Sequence, residues 1–213
     1  MIDRLHYITQ EGLNGESHAA MAERACKAGV RWVQLRIKNA TEQTLLEQAQ
    51  LTRQVTAAFG ATLLINDHVA VAKAVNADGV HLGKEDMDPA EARRILGDKI
   101  IGGTANTYDD VVSLIAKGVD YVGLGPFRFT KTKEKLSPIL GLDGYQQLIG
   151  QLQTQGHHVP IIGIGGVLPE DVSALRSTGL HGVAVASVIN SASDPALVIQ
   201  QLYEALQPLA KPA

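Results

Sequence analysis

Apolar residues along this chain come in short runs of four or five, set apart by longer stretches with helical spacing. Four of the runs sit inside one recurring phrase. It reads Gly29-Val-Arg-Trp-Val-Gln-Leu-Arg36, Asn76-Ala-Asp-Gly-Val-His-Leu-Gly83, Gly118-Val-Asp-Tyr-Val-Gly-Leu-Gly125 and Gly179-Leu-His-Gly-Val-Ala-Val-Ala186. In each copy a Gly or Asn, which tolerates left-handed backbone, ends a helical stretch, and an apolar β run follows at once. Four more runs, at 5–9, 63–66, 100–104 and 161–164, fall between the copies. Eight strand–helix units in a row predict an α/β chain folded as a (β/α)8 TIM barrel of eight parallel strands. A single domain is expected over 1–213, with a frayed tail at about 207–213. Such a barrel collects its chemistry in the loops that follow the strands.

Helix-start signals fall where this architecture needs them. Asp88-Pro89-Ala90-Glu91 offers an N-cap, a first-turn proline and a Glu three residues on. Thr107 and Asp110 form a second capping box, Asp194-Pro195 opens the last helix, and Thr41 caps the second. That second helix carries Leu45, Leu46, Ala49 and Thr52 as a core-facing stripe. The loop at 126–140 is long, a length that often marks a lid or a ligand clamp.

Strand alternation makes the reading sharper. If Val33, Leu35 and Ile37 face the helices, then Gln34, Arg36 and Lys38 point into the barrel. The same register stacks Gln34, His81, Gly123 and Ala184 in one layer and Arg36, Gly83, Gly125 and Ala186 in the next. Barrel layers are normally filled by bulky branched residues. Polar side chains on one strand and very small ones on two others predict a ligand-sized hollow in the upper barrel.

Composition adds exclusions. A net charge of −3 gives no basic surface for nucleic acid. No apolar run is long enough to cross a membrane, and the N-terminus has no signal-peptide core. One cysteine, Cys26, rules out an internal disulfide framework, suits a reducing cytoplasm and reads as a small buried hydrophobe.

The candidate chemistry is that of phosphate. Gln34, Arg36 and Lys38 set an amide and two cations on one strand end, where inward cations need an anion to meet. Asp67 follows the third strand behind Asn66, and Asp86 follows the fourth. Two carboxylates at neighbouring strand ends, beside phosphate-binding cations, suit Mg2+; the competing reading makes each a helix cap. Gly102-Gly103-Thr104 follows the fifth strand, with a hydroxyl and glycines that admit an oxyanion. Gly165-Gly166 follows the seventh strand and Ala186-Ser187 the eighth, the recurrent phosphate-binding position of this barrel. His81, turned inward, reads as a hydrogen-bonded core residue ahead of an acid–base group.

Taken in order, Val33-Gln-Leu-Arg-Ile-Lys38, Ile65-Asn-Asp67, Ala77-Asp-Gly-Val-His-Leu-Gly-Lys-Glu-Asp86, Gly123-Leu-Gly-Pro126 with Thr130-Lys-Thr-Lys133, and Gly163-Ile-Gly-Gly166 make the chain resemble the thiamine-phosphate synthase family. The resemblance implies that a hydroxymethylpyrimidine diphosphate and a hydroxyethylthiazole phosphate, or its carboxylated form, are joined to give thiamine phosphate and pyrophosphate. It implies that Gln34 binds the pyrimidine, and that Arg36, Lys38, Asn66, Thr104 and Lys133 hold the diphosphate. Lys133, Arg36 and Thr104 would be the catalytic set, with one Mg2+ on Asp67 and Asp86. Thr130, Thr132, Gly165, Gly166, Ala186 and Ser187 would hold the thiazole phosphate. The expected partners are these small phosphorylated substrates, and a homodimer is one expected assembly. The chain departs from the family pattern at Thr104 and Asn106, where Ser and His are usual, and at Arg128-Phe129. A related thiazole tautomerase would have no use for Arg36, Lys38, Asp67 and Asp86 together. A phosphosugar or indole-pathway isomerase would leave the second anion site unexplained. A regulatory barrel that only binds thiamine phosphate would not need the carboxylate pair.

Overall fold

The computed structural model describes residues 1–10, 15–129 and 138–207. Among them eight parallel strands close on themselves in the order β1-β2-β3-β4-β5-β6-β7-β8. The strands are β1 (Leu5–Ile8), β2 (Trp32–Leu35), β3 (Thr62–Asn66), β4 (Gly79–Leu82), β5 (Ile100–Ala105), β6 (Tyr121–Leu124), β7 (Ile161–Ile164) and β8 (Gly182–Val185). The helices between them are α1 (His18–Lys27), α2 (Glu42–Ala58), α3 (Val69–Ala74), α4 (Pro89–Leu96), α5 (Tyr108–Ala116), α6 (Gly141–Thr154) and α7 (Val172–Ser177), followed by α8 (Ser187–Asn190) and α9 (Pro195–Ala205). None of the described helices is long and apolar enough to cross a membrane.

The recurring phrase does what its residues predict. Gly29, Asn76, Gly118 and Gly179 all adopt positive φ, at 114°, 49°, 76° and 95°, and each hands a helix to the next strand. Asp88 accepts from the Ala90 amide with Pro89 opening α4, Thr107 and Asp110 form a complete capping box, and Thr41 and Asp194 cap α2 and α9. Leu45, Ala49 and Thr52 of α2 are buried; Leu46 is only partly so. Cys26 is buried among apolar neighbours, and desolvation raises its thiol to about 11, so the residue packs and does not react.

Alternation along each strand separates two cores. Val33, Leu35, Leu63, Ile65, Val80, Leu82, Val122, Leu124, Val183 and Val185 face the helix layer. Ile8, Trp32, Leu64, Tyr121, Ile162 and Ala184 pack inside the barrel. The inner floor is aromatic. His6 stacks on Trp32 with centroids 4.4 Å apart, and both meet Tyr121 edge-on at 5.0 and 6.0 Å. Glycines on the neighbouring strands make the room: a Cβ on Gly102 would lie 2.2 Å from the Tyr121 ring, and one on Gly123 would lie 2.9 Å from His81. Bulky rings therefore plug the bottom of the barrel, and small residues leave its top open.

Candidate active site

A cavity opens above this floor at the carboxyl ends of the strands, enclosing about 950 Å³ when its mouth is counted. Gln34, Arg36, Asn66, His81, Thr104, Gly165, Gly166, Ala184, Ala186 and Ser187 line it. The inward register expected for β2, β4 and β8 is therefore the one present.

Strand pairing builds one side from the backbone outward. Gln34 pairs with Leu64, and Asn66 pairs with His81, so the ends of β2, β3 and β4 rise together. The buried Gln34 amide donates to Asn66 Oδ1 at 2.8 Å. The Asp67 carboxyl follows directly on Asn66 and faces Asp86, whose charge it feels. Gly83 N–H donates to Asp86 Oδ2 at 2.7 Å, and a side chain at Gly83 would run into that oxygen. Neither aspartate caps a helix. α3 starts after His68 without a side-chain cap, and α4 is capped by Asp88. Asp67 instead holds a left-handed φ of 66° that no glycine relieves, which turns its carboxyl toward Asp86 and Arg36.

The electrostatics follow from that arrangement. Burial pushes the Asp67 carboxyl up to about 7, and the hydrogen bond and charge of Asp86 add to the rise, while Arg36 pulls it down. Two acids that crowd each other in this way form an oxygen donor set whose chemistry would fit a hard divalent cation. Among the described residues no group of three or more His, Cys, Asp or Glu could hold a metal by itself. Lys38 lies three residues beyond β2, exposed at the rim and outside the cavity lining.

The opposite wall is glycine. Gly165 and Gly166 take φ of 97° and 71°, in the left-handed region that L side chains rarely adopt. A Cβ at Gly165 would lie 2.8 Å from Pro126, and one at Gly166 2.4 Å from Arg128. Phe127 and Arg128 N–H groups donate to the carbonyls of Ile164 and Gly165, so the segment after β6 is sewn to the turn after β7. Arg128 lies over the Phe127 ring and pairs with Asp171 at 2.6 Å. Asn106, where an imidazole was the usual residue, donates its amide to the Gly125 carbonyl at 2.5 Å and serves the backbone.

Thr104 stands between the two walls and meets His81 Nε2 at 3.0 Å, and His81 is buried and hydrogen-bonded as its inward position predicts. His158 is exposed, but His157 is half-buried near Tyr108. Thr130, Thr132 and Lys133 lie outside the described residues. Sequence reasoning missed Ile8, Thr9 and Gln10, which also line the cavity. The Thr9 hydroxyl accepts the Arg36 amide at 3.0 Å and meets His18 Nδ1 at 2.8 Å. The rule that every strand end of a barrel can face the site was the available signal for β1.

Known proteins bear on this geometry. The sequence profile of the family described as thiamine monophosphate synthase matches residues 5–189. A thiamine-phosphate synthase of Flavobacterium psychrophilum is 44% identical over 207 residues, covering 97% of this chain and 100% of that relative. One from Flavobacterium johnsoniae is 44% identical and covers 97% of both chains. The solved structure of a thiamine phosphate pyrophosphorylase from Pyrococcus furiosus aligns with a TM-score of 0.83 at 30% identity, over 96% of this chain and 95% of that one. With its barrel, its carboxylate pair and its glycine turn in the matched span, the chain belongs to the thiamine monophosphate synthase family.

Proposed function

We propose that this chain joins 4-amino-2-methyl-5-hydroxymethylpyrimidine diphosphate to 4-methyl-5-(2-hydroxyethyl)thiazole phosphate, releasing thiamine phosphate and pyrophosphate. The observation that carries this reading is one cavity with two kinds of anion grip. Arg36 and Asn66 line one side, with the Asp67–Asp86 pair beside them at the strand ends, and Gly165, Gly166, Ala186 and Ser187 line the other. A hydrolase or isomerase of a single phosphate ester would need only the glycine side.

The chemistry divides between the two walls. The C–O bond between the pyrimidine methylene and the diphosphate breaks, its electron pair leaving with pyrophosphate, and the thiazole nitrogen attacks the resulting pyrimidine-stabilised cation. Gln34 orients the pyrimidine, and Arg36, Lys38, Asn66, Thr104 and Lys133 stabilise the charge that grows on the departing oxygen. The turn at Gly165-Gly166, with Ala186, Ser187, Thr130 and Thr132, holds the thiazole phosphate so that the nitrogen is already in place when the bond opens. Asp67 and Asp86 would hold a hard divalent cation, Mg2+, which supplies charge neutralisation to the leaving group. No general base is required, in keeping with a cavity whose histidine is buried between Tyr121 and Thr104.

The direct test mixes both substrates and Mg2+ with the purified chain and follows thiamine phosphate by chromatography. Product should form, EDTA should abolish it, and added Mg2+ should restore it. Binding of thiamine phosphate without turnover would replace the synthase reading with that of a sensor.

A further inference from the structure

We infer, on the synthase reading above, that Tyr121 and His81 are positioning residues that fix the Thr104 hydroxyl as a donor toward the bound diphosphate. The three residues come from β6, β4 and β5, adjacent strands of the closed barrel. Tyr121 is 1% exposed, enclosed by the rings of His6, Trp32 and His81. Among the described residues its hydroxyl has one partner, His81 Nδ1 at 2.9 Å. A phenol hydrogen sealed from water without an acceptor is strongly disfavoured. Nδ1 therefore accepts and carries no proton. The ring's hydrogen then sits on Nε2, which lies 3.0 Å from Thr104 Oγ1 and donates to it. A ring protonated on Nδ1, or on both nitrogens, would aim a hydrogen at the Tyr121 oxygen and strand the phenol's own.

The consequence appears in the cavity. The Thr104 oxygen already accepts from Nε2, and its hydroxyl makes no other hydrogen bond among the described residues. Thr104 lines the cavity, so its hydrogen faces whatever anionic oxygen enters there. In the opposite tautomer Thr104 would give its hydrogen to Nε2 and turn only lone pairs to the diphosphate. Gly102 and Gly123 belong to the same device. A methyl on either would displace the Tyr121 ring or the His81 ring, at 2.2 and 2.9 Å.

Two measurements test the direction of this chain of hydrogen bonds. Long-range 1H–15N spectra of the wild-type protein should show His81 protonated at Nε2 and unprotonated at Nδ1. Protonation at Nδ1, alone or with Nε2, overturns the inference without reference to activity. In steady-state kinetics, Thr104→Val should lower kcat on the order of a hundredfold, the usual loss for one donor to a developing oxyanion. His81→Asn, whose amide ends at the Nδ1 position, should fall almost as far, whereas His81→Gln, whose amide reaches the Nε2 position, should retain most of the wild-type rate. In the Thr104→Val background the two His81 variants should become equal, because they act through that hydroxyl. Equal losses for Gln and Asn, or an Asn loss that multiplies in full onto Thr104→Val, would overturn it. A wild-type chain that makes no thiamine phosphate would overturn the synthase reading, a result the spectra do not depend on.

Discussion

His6 shows how much one side chain on the barrel floor can govern. It is 1% exposed, stacked on Trp32, and its Nε2 meets the Asp3 carbonyl at 3.0 Å. Burial depresses the imidazole to about 3; the Asp3 carbonyl resists that fall, and His81 and His181 add to it. The unfolded chain takes up a proton at this site below about pH 6.5, and the folded one does not until about 3. Stability from His6 is therefore fully present above pH 6.5 and is lost as pH falls toward 3, by up to about 1.4 kcal/mol per pH unit. Asp67, raised to about 7, has the opposite sign: its contribution is present at acid pH and is lost as pH rises toward 7. The wild-type curve mixes the two, so the informative quantity is wild type minus His6→Gln, measured by urea unfolding in EDTA at pH 7 and pH 5. We expect the wild type to lose about 1–2 kcal/mol more than the variant between those values. Parallel curves would mean that His6 is not held neutral by the fold.

At the scale of elements, the repeated phrase carries a second use of its third residue. Asp78 Oδ2 accepts the Leu63 amide at 2.7 Å and pairs with Arg53 of α2. Asp120 Oδ2 accepts the Ile101 amide at 2.7 Å and pairs with Arg93 of α4. Each aspartate thus ties the start of its own strand to the start of the strand before it, at the end of the barrel away from the cavity. The ion pairs are partly exposed, which limits their worth to less than about 1 kcal/mol. The captured amide of fully buried Ile101 is the larger effect, since leaving it unpaired costs about 1–3 kcal/mol. Asp120→Ala should lower urea stability by that amount, and Asp120→Asn should keep most of it, both with kcat unchanged. If Asn were as damaging as Ala, the charge and not the amide contact would be responsible. This comparison also shows what the sequence made legible. The left-handed caps, the eight runs, their inward faces and the carboxylate pair were readable because each depends on neighbours within a few residues or on strand alternation. The contacts of Tyr121 with His81, of Asn106 with Gly125, of Arg128 with Asp171 and of Thr9 with Arg36 join residues 19 to 43 apart. They exist only once the barrel has closed, and no local spacing announces them. Gly165 was read as an opening for an anion; that Pro126 also needs the space was not visible.

For the molecule as a whole, the proposed reaction requires two separate anion grips, one beside Arg36 and Asn66 and one at the Gly165-Gly166 turn, at one cavity. Anything that binds the folded state alone stabilises it, by about 2.7 kcal/mol at a hundred times its dissociation constant. For a chain of 213 residues that is a rise in Tm of about 5–10 °C. Inorganic pyrophosphate with Mg2+ and thiazole phosphate should each raise Tm, and the two together should raise it by nearly the sum, because ligands that share no partner act independently. Gly166→Ala puts a methyl 2.4 Å from Arg128 at a φ of 71°, so it should lower the starting Tm and remove the thiazole phosphate response while leaving that to Mg-pyrophosphate. Asp67→Asn should do the reverse, and its starting Tm should not fall in EDTA, since it removes one of two crowded acids. A single variant that abolished both responses would show that the grips are one site. In that case the requirement for two phosphorylated substrates, on which the synthase reading rests, would be gone.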